Sequence, residues 1–238
     1  MKRAYKTRRS IVAFIALVIA VIVIAYHPNL QQPSVSPPQT PSTTLTPSGD
    51  AAEALEKLPV KGRAPKTGDT EYSRTLFGDG WESQAGCDVR NVILRRDLVD
   101  IQLDDAGCKV VSGLLNDPYT GKSVAFTRGA DTSDDVQIDH VVALSNAWQT
   151  GAQSLTYEQR VAFANDPLEL LAVDGPTNQQ KSDADAATWL PPNKAFRCQY
   201  VARQIAIKAK YQLWVTQPEK NAMTQVLSTC PGQKMPLP

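Results

Sequence analysis

The stretch Ile138-Asp139-His140-Val141-Val142 constrains the fold of this chain more than any other feature of its sequence. Its apolar residues predict a strand over residues 136–144, and this strand carries an acid beside one of only two histidines in the chain. A polar cluster with Asn178 and Lys181 follows a Gly-Pro-Thr turn and predicts the opening of a helix. Strands and helices in this order predict an α+β domain.

The sequence divides into three parts. Residues 1–27 hold five basic residues and then an uncharged apolar run of 16 residues, which indicates a signal-anchor in the membrane or a cleaved signal peptide. We favour the anchor, and both alternatives make the rest of the chain extracytoplasmic. Residues 28–69 are rich in Pro, Ser and Thr and predict a linker without a core, with a short helix at 51–58. Residues 70–238 form the predicted folded domain.

The charge of the exported part excludes one class of protein. After the five basic residues that precede the apolar run, 20 basic residues face 24 acidic ones, which gives a net charge of −4. The chain is therefore not a generally basic nucleic-acid scavenger. Any contact with nucleic acid must come from a local basic patch.

The chain has four cysteines, all beyond the predicted linker. An even number in an exported chain predicts disulfides, and four cysteines allow three pairings. We expect the pairs nearest in sequence, Cys87 with Cys108 and Cys198 with Cys230. A zinc site is disfavoured because no C-x-x-C motif occurs and the spacings are wide, and free buried thiols remain the other alternative.

The predicted domain alternates short strands and helices. Apolar spacing predicts a helix over residues 89–99, and a turn at 116–121 joins two strands into a hairpin. Pro191-Pro192 is expected to end the helix that follows the Gly-Pro-Thr turn. The other predicted elements are strands at 109–115, 122–126 and 168–173 and helices at 156–164, 178–189 and 194–213.

The Asp–His pair and the Asn-x-x-Lys cluster together suit the hydrolysis of a phosphodiester. Asp139 and Asn178 offer oxygen ligands for a hard cation, and a neutral His140 can deprotonate a water molecule. Lys181 is expected to neutralise phosphate charge. The alternatives are an ordinary hydrogen-bonded Asp–His pair, an Asn178 that only caps its helix, and a solvated Lys181.

Further motifs occur in a recognisable order: Asp117–Lys122, Ile138–Leu144, Pro167–Leu171, Thr177–Asp183 and Trp189–Lys194. In these motifs the chain resembles the HNH (His-Me finger, ββα-metal) endonuclease family. It is similar in particular to the exported actinobacterial branch related to the HNH domain of GmrSD-type restriction nucleases.

The resemblance implies a fold and a set of roles. The fold would be a ββα-metal core with an N-terminal hairpin and helix and C-terminal helices. Asp139 would bind the metal, His140 would be the general base, and Asn178 would be the second ligand. Mg²⁺ is the expected ion, with Mn²⁺ or another divalent ion as an alternative. The expected substrate is DNA rather than RNA, cut with little sequence preference to leave 5′-phosphates.

Glu169 departs from the family pattern. It stands where the family has an Asn that steadies the loop carrying the catalytic histidine. An ionised Glu accepts hydrogen bonds and donates none, and it is expected to raise the pKa of the histidine. Such a shift would weaken the base at neutral pH.

A stretch without acidic residues, 186–218, is the predicted substrate surface. Its basic residues Lys194, Arg197 and Arg203 are expected to contact phosphates, and the alternative is a solvated helix face. Two rival functions stay open: an extracytoplasmic binding module without catalysis, and a phosphodiesterase that acts on a cell-envelope polymer. No obligate protein partner is evident from the sequence.

Overall fold

The computed structural model describes residues 47–68 and 71–236. The predicted signal-anchor at 1–27 and the first part of the predicted linker lie outside these ranges. Across the two described ranges, no helix is both long enough and apolar enough to cross a membrane.

The described part of the chain is a mixed α/β structure. Its helices, in chain order, are α1 (Asp50–Lys57), α2 (Val89–Asp97), α3 (Leu144–Gln149), α4 (Tyr157–Ala164), α5 (Gly175–Lys181), α6 (Arg197–Lys210) and α7 (Gln217–Ser228). Its strands are β1 (Ser83–Gln84), β2 (Cys87–Asp88), β3 (Leu98–Leu103), β4 (Val110–Asn116), β5 (Ser123–Thr127), β6 (Val136–His140) and β7 (Leu170–Asp174).

All the strand pairs are antiparallel. The predicted hairpin is confirmed as β4 and β5, in which Asn116 pairs with Ser123. The strand β3, which the sequence analysis missed, adds to the other edge of β4. A second pair, β6 and β7, places His140 opposite Leu170. The predicted strand at 136–144 is therefore too long, because Leu144 already begins α3.

The β6–β7 pair separates two hydrophobic cores. Leu170 and Ala172 of β7 belong to a core shared with α2 and the three-stranded sheet. Leu171 and Val173 belong to a larger core built mainly from helices. Because neighbouring side chains of a strand point to opposite faces, Asp139 and His140 of β6 must also face different sides.

The helix α5 follows β7 directly and packs beside β6. It starts at Gly175, where the Asp174 carboxylate accepts a hydrogen bond from the Thr177 amide at 2.9 Å. It ends after Lys181 because Ser182 adopts a positive φ of 51°. The predicted helix over 178–189 was therefore placed too late and made too long. Asp174, rather than Asn178, is the capping residue.

The folded region begins earlier than the predicted boundary at residue 70. Ala51 and Leu55 of α1 are 0% and 1% exposed and pack in the larger core. The chain then runs along the domain, where the Lys61 amide donates to the Val215 carbonyl at 3.1 Å. The second half of the predicted linker is thus part of the folded structure, because its one amphipathic stretch has a core to pack against.

Both predicted disulfides are confirmed. Cys87 pairs with Cys108 and closes a sequence separation of 21 residues. Cys198 pairs with Cys230 across 32 residues and joins α6 to the end of α7. The helix α7 was not predicted, although Thr216 and Glu219 form a capping box at its start.

Candidate functional site

His140 lies at the end of β6 with its ring held on two sides. Its Nε2 lies 3.0 Å from the carbonyl oxygen of Ala164. A carbonyl only accepts, so Nε2 must carry the proton and Nδ1 keeps a free lone pair. The ring stacks on Trp81, with 5.8 Å between centroids and 6° between planes. The imidazole is thus fixed in one orientation and in one tautomer.

The surroundings of His140 favour its neutral form. Burial lowers the pKa of His140 to about 3, and the positive charge of Arg74 acts in the same direction. A neutral imidazole is the form that can accept a proton. This is the reverse of the expectation that Glu169 raises the pKa of this histidine.

Asp139 faces the opposite side of β6, as the strand alternation requires. Its Oδ1 accepts from Lys181 Nζ at 2.8 Å, and its Oδ2 accepts from the Tyr119 hydroxyl. Burial raises the pKa of Asp139, whereas Lys181 and the hydrogen bond from Tyr119 lower it. Two donors therefore orient the carboxylate.

Lys181 is fully buried and already engaged. Besides its ion pair with Asp139, its Nζ donates to the His140 carbonyl oxygen at 2.9 Å. The predicted role of Lys181 in neutralising substrate phosphate does not fit this position. Its contacts instead tie α5 to the end of β6 and orient Asp139.

The motif Asp117–Lys122 positions Tyr119. Asp117 Oδ2 accepts from the Thr120 amide at 2.7 Å, and its Oδ1 accepts from the Asp174 amide at 3.0 Å. These bonds fix the hairpin turn against the end of β7 and direct the buried Tyr119 to Asp139. The motif is apparent in the sequence, but its spacing alone predicts no role for Tyr119.

Asn178 lies on the same side of β6 as Asp139. Its Nδ2 donates to Gln137 Oε1 at 3.0 Å, and Gln137 is two residues before Asp139 on the strand. The amide oxygen of Asn178 makes no hydrogen bond to any residue in the described ranges. Asn178 and Asp139 both line one cleft of about 810 Å³.

The residues predicted to bind a hard cation offer one carboxylate and one amide oxygen in this cleft. In the ranges that the structure describes, no group of three or more His, Cys, Asp or Glu side chains is arranged to hold a metal ion. Mg²⁺, however, is commonly bound by one or two carboxylates together with phosphate oxygens. Of the two predicted ligands, Asp139 already accepts hydrogen bonds from Lys181 and Tyr119, whereas the Asn178 amide oxygen accepts none within the described ranges.

Glu169 accepts hydrogen bonds from the segment that follows His140. It is fully buried, and its two carboxyl oxygens lie 3.1 and 3.3 Å from the Val142 amide, which donates to them. Its backbone carbonyl also accepts from the Val141 amide at 2.9 Å. Glu169 therefore holds the two residues that follow His140. Burial raises the pKa of Glu169 well above its usual range, and Asp139 adds to this effect.

The predicted basic surface at 186–218 lies away from the cleft. Arg203 donates to the Leu168 carbonyl at 2.9 Å, and Arg197 donates to the Pro191 carbonyl at 2.7 Å. Neither of these residues nor Lys194 borders the cleft that contains His140. These arginines bind backbone carbonyl groups of the protein itself. The prediction that they contact substrate is therefore not supported.

Other cations do line the cleft. Lys66, Arg74 and Arg90 lie on its walls together with His140 and Asn178. Lys66 comes from the segment predicted as linker, and Arg90 comes from the helix predicted over residues 89–99. The sequence offers no periodic signal for these residues, because they come from three separate elements that only the tertiary fold brings together.

Comparisons with known proteins agree with the resemblance. A family model described as "GmrSD restriction endonucleases, C-terminal domain" matches residues 88–226. A protein of Arthroderma benhamiae (strain ATCC MYA-4681 / CBS 112371), described as an uncharacterized secreted protein, is 37% identical over 219 residues. That alignment covers 91% of this chain and 98% of the relative. No solved structure matches the chain.

Proposed function

The chain belongs to the family of the C-terminal domain of GmrSD restriction endonucleases, and from that premise we propose that it is an exported, metal-dependent HNH-type endonuclease. Its ββα-metal finger would be formed by β6, β7 and α5, which follow one another in the required order. The substrate would be nucleic acid, with DNA favoured over RNA. Extracytoplasmic location is supported by the secreted description of the Arthroderma relative.

The arrangement of His140 carries the proposal. The ring is buried against Trp81, and its Nε2–H is bound to a carbonyl, so that the free lone pair is on Nδ1. A structural histidine of an ion pair would have a carboxylate partner, and this one has none within the described ranges. His140 Nδ1 would accept a proton from the attacking water. The water oxygen would then bond to phosphorus as the bond from phosphorus to the leaving oxygen breaks.

Asp139 and Asn178 would hold the divalent ion, with Mg²⁺ expected and Mn²⁺ as the alternative. When bound, such an ion neutralises charge on the phosphate and on the leaving oxygen. Tyr119 and Lys181 would orient Asp139 for this task, and neither would touch the substrate. Products with a 5′-phosphate are expected from the family resemblance.

Little sequence preference is expected. The residues that line the cleft offer charges and hydrogen-bond donors suited to phosphates, and backbone contacts carry no sequence information by themselves. The rival function, a binding module without catalysis, draws its main support from the departure from the family pattern at Glu169. Its support is reduced, because the Glu169 carboxyl holds the loop after His140.

The test is a substrate panel with the intact, disulfide-bonded chain. Plasmid DNA, RNA and a teichoic-acid-like polymer are incubated with Mg²⁺, with Mn²⁺ and with EDTA. Nicking of plasmid that EDTA abolishes is the expected result. Cleavage of the envelope polymer alone would show that the substrate is that polymer rather than nucleic acid. If no substrate is cleaved with either ion, a binding module without catalysis is the better explanation.

A further inference from the structure

The cations that line the cleft differ in whether the protein already neutralises them. Lys66 Nζ forms an ion pair with Asp183 at 2.9 Å. Arg74 and Arg90 form no ion pair with any residue in the described ranges. The charges of these two arginines are therefore available to an anion in the cleft.

Arg90 is a half-buried guanidinium that forms no close ion pair in the part of the chain that the structure describes. Its Nη2 donates to the carbonyl oxygens of Ser133 at 3.2 Å and Val136 at 3.3 Å. These bonds fix the side chain, and the carboxylates of Asp134 and Asp88 offset part of its charge without forming an ion pair within the described ranges. Burial lowers the pKa of Arg90, and Arg128 acts in the same direction. An anion would relieve this cost because a guanidinium presents further N–H donors.

Arg74 lies on the other side of the site. It begins a 3₁₀ turn, Arg74–Phe77, that is anchored by the buried Phe77. The side chain is exposed and makes no hydrogen bond within the described ranges. It borders the main cleft and also a smaller cavity of about 180 Å³ against His140. Arg74 and His140 both line this smaller cavity, which places the arginine beside the predicted base.

The two arginines lie toward opposite ends of β6. Arg90 contacts the carbonyl of Val136, the first residue of β6, whereas Arg74 lies near His140, the last one. Four residues of strand span about 13 Å. This spacing suits two phosphates of one polymer better than a single phosphate group.

We infer that Arg74 binds the scissile phosphate beside His140 and that Arg90 binds another phosphate of the same strand, so that the site selects a polynucleotide over an isolated phosphodiester. This inference rests on the proposed function and names its substrate class. Arg74 would act on the reacting phosphate, where its charge stabilises the transition state. Arg90 would contribute to binding along the polymer.

The experiment uses the intact chain and the variants Arg74→Gln, Arg90→Gln and Arg95→Gln. Arg95 is the matched control, because it is exposed on the same helix as Arg90 and donates to the Gly107 carbonyl rather than lining the cleft. Two substrates are compared with Mg²⁺ or Mn²⁺: a single-stranded oligodeoxynucleotide and bis(p-nitrophenyl) phosphate, which has one phosphate. Binding of the labelled oligonucleotide is also measured in EDTA at several salt concentrations.

Arg90→Gln is expected to raise KM for the oligonucleotide about 10-fold or more and to lower selectivity for it over the single diester by a similar factor. Arg74→Gln is expected to lower kcat on both substrates and to leave that selectivity unchanged. Each variant should reduce the slope of log binding constant against log salt by about 0.7, the contribution of one phosphate contact on a single strand. Arg95→Gln should match the unmodified chain in every measurement.

The outcomes separate this inference from the proposed function. Unchanged salt slopes in both variants, or an equal loss on both substrates in Arg90→Gln, would overturn the inference even if the chain cuts DNA. If the unmodified chain cuts neither substrate, the proposed nuclease activity is refuted. If both variants nevertheless show a smaller salt slope than the unmodified chain, the two phosphate contacts are retained.

Discussion

At the scale of single residues, Glu169 shows how a departure from a family pattern is absorbed. The position requires an acceptor for the Val142 amide, and a carboxyl supplies it as an amide would. Full burial favours the uncharged carboxyl, and the neighbouring Asp139 carboxylate does the same. The sequence alone exposed the substitution and could not give its effect, because the direction of a pKa shift depends on burial and on neighbours.

The variant Glu169→Gln therefore keeps a side-chain oxygen that accepts from the Val142 amide. It also removes the free-energy cost of protonating a buried carboxyl group at neutral pH. At pH 7 its free energy of unfolding should equal or exceed that of the unmodified chain. Glu169→Ala leaves the buried Val142 amide without its acceptor and should lose about 1–3 kcal/mol. Urea unfolding of both variants measures this difference. Equal losses for Gln and Ala would show that the carboxyl acts in some other way.

His140 makes stability depend on pH. Its pKa is about 3 in the folded chain and 6.5 for an unperturbed group. Between these values the unfolded chain binds a proton that the folded chain does not, so stability falls as pH decreases from about 6.5 towards 3, by up to about 1.4 kcal/mol per pH unit.

The variant His140→Gln should lack this contribution. From pH 6 to pH 4.5 the unmodified chain is expected to lose about 2 kcal/mol more than the variant, measured by urea unfolding in EDTA. Parallel pH profiles would mean that His140 titrates normally in the folded state.

At the scale of elements, the sequence predicted those whose signals are local. The β4–β5 hairpin has its turn residues, and α4 has the predicted capping box at Thr156 and Gln159. The strand β3 was missed because its register is irregular between Val99 and Leu103 and breaks the alternation of apolar residues. The end of α5 was missed because Ser182, rather than a Gly or Pro, takes the positive φ that ends the helix.

Gly175 at the start of α5 is a point where the site depends on close backbone contact. A Cβ atom there would lie 1.9 Å from the Asp134 carbonyl oxygen, which is backbone and cannot move aside freely. Gly175→Ala should displace the start of α5, lower stability by about 2 kcal/mol or more and reduce cleavage. Gly62→Ala is the control, because nothing lies within 4 Å of its Cβ position. Similar unfolding midpoints for both variants would contradict this account.

At the scale of the whole molecule, the site is assembled from distant segments. Lys66 follows α1, Arg74 lies in a 3₁₀ turn, and Arg90 belongs to α2, yet all border the cleft of His140. The proximity of His140, Asp139 and Asn178 in one cleft could be predicted, because β6, β7 and α5 are close in sequence. The cations could not, because their proximity depends on how separate elements pack.

The packing of α1 is testable in the same way. Leu55 is 1% exposed in the larger core, so Leu55→Ala should lower the free energy of unfolding by about 2–5 kcal/mol. Glu53→Ala, at an exposed position on the same helix, should change it by less than about 0.5 kcal/mol. If Leu55→Ala changed the free energy of unfolding as little as Glu53→Ala, residues 50–57 would belong to the predicted linker rather than to the folded core.

The central claim is that His140 is the base of a nuclease, and the most direct measurement is the rate of plasmid nicking by His140→Ala. The matched control is His27→Ala, since the sequence has no other histidine. We expect metal-dependent nicking to fall by about 100-fold or more in His140→Ala, with oligonucleotide binding retained and the rate of His27→Ala unchanged. A His140→Ala chain that folds, binds DNA and nicks it at the rate of the unmodified chain would contradict the account.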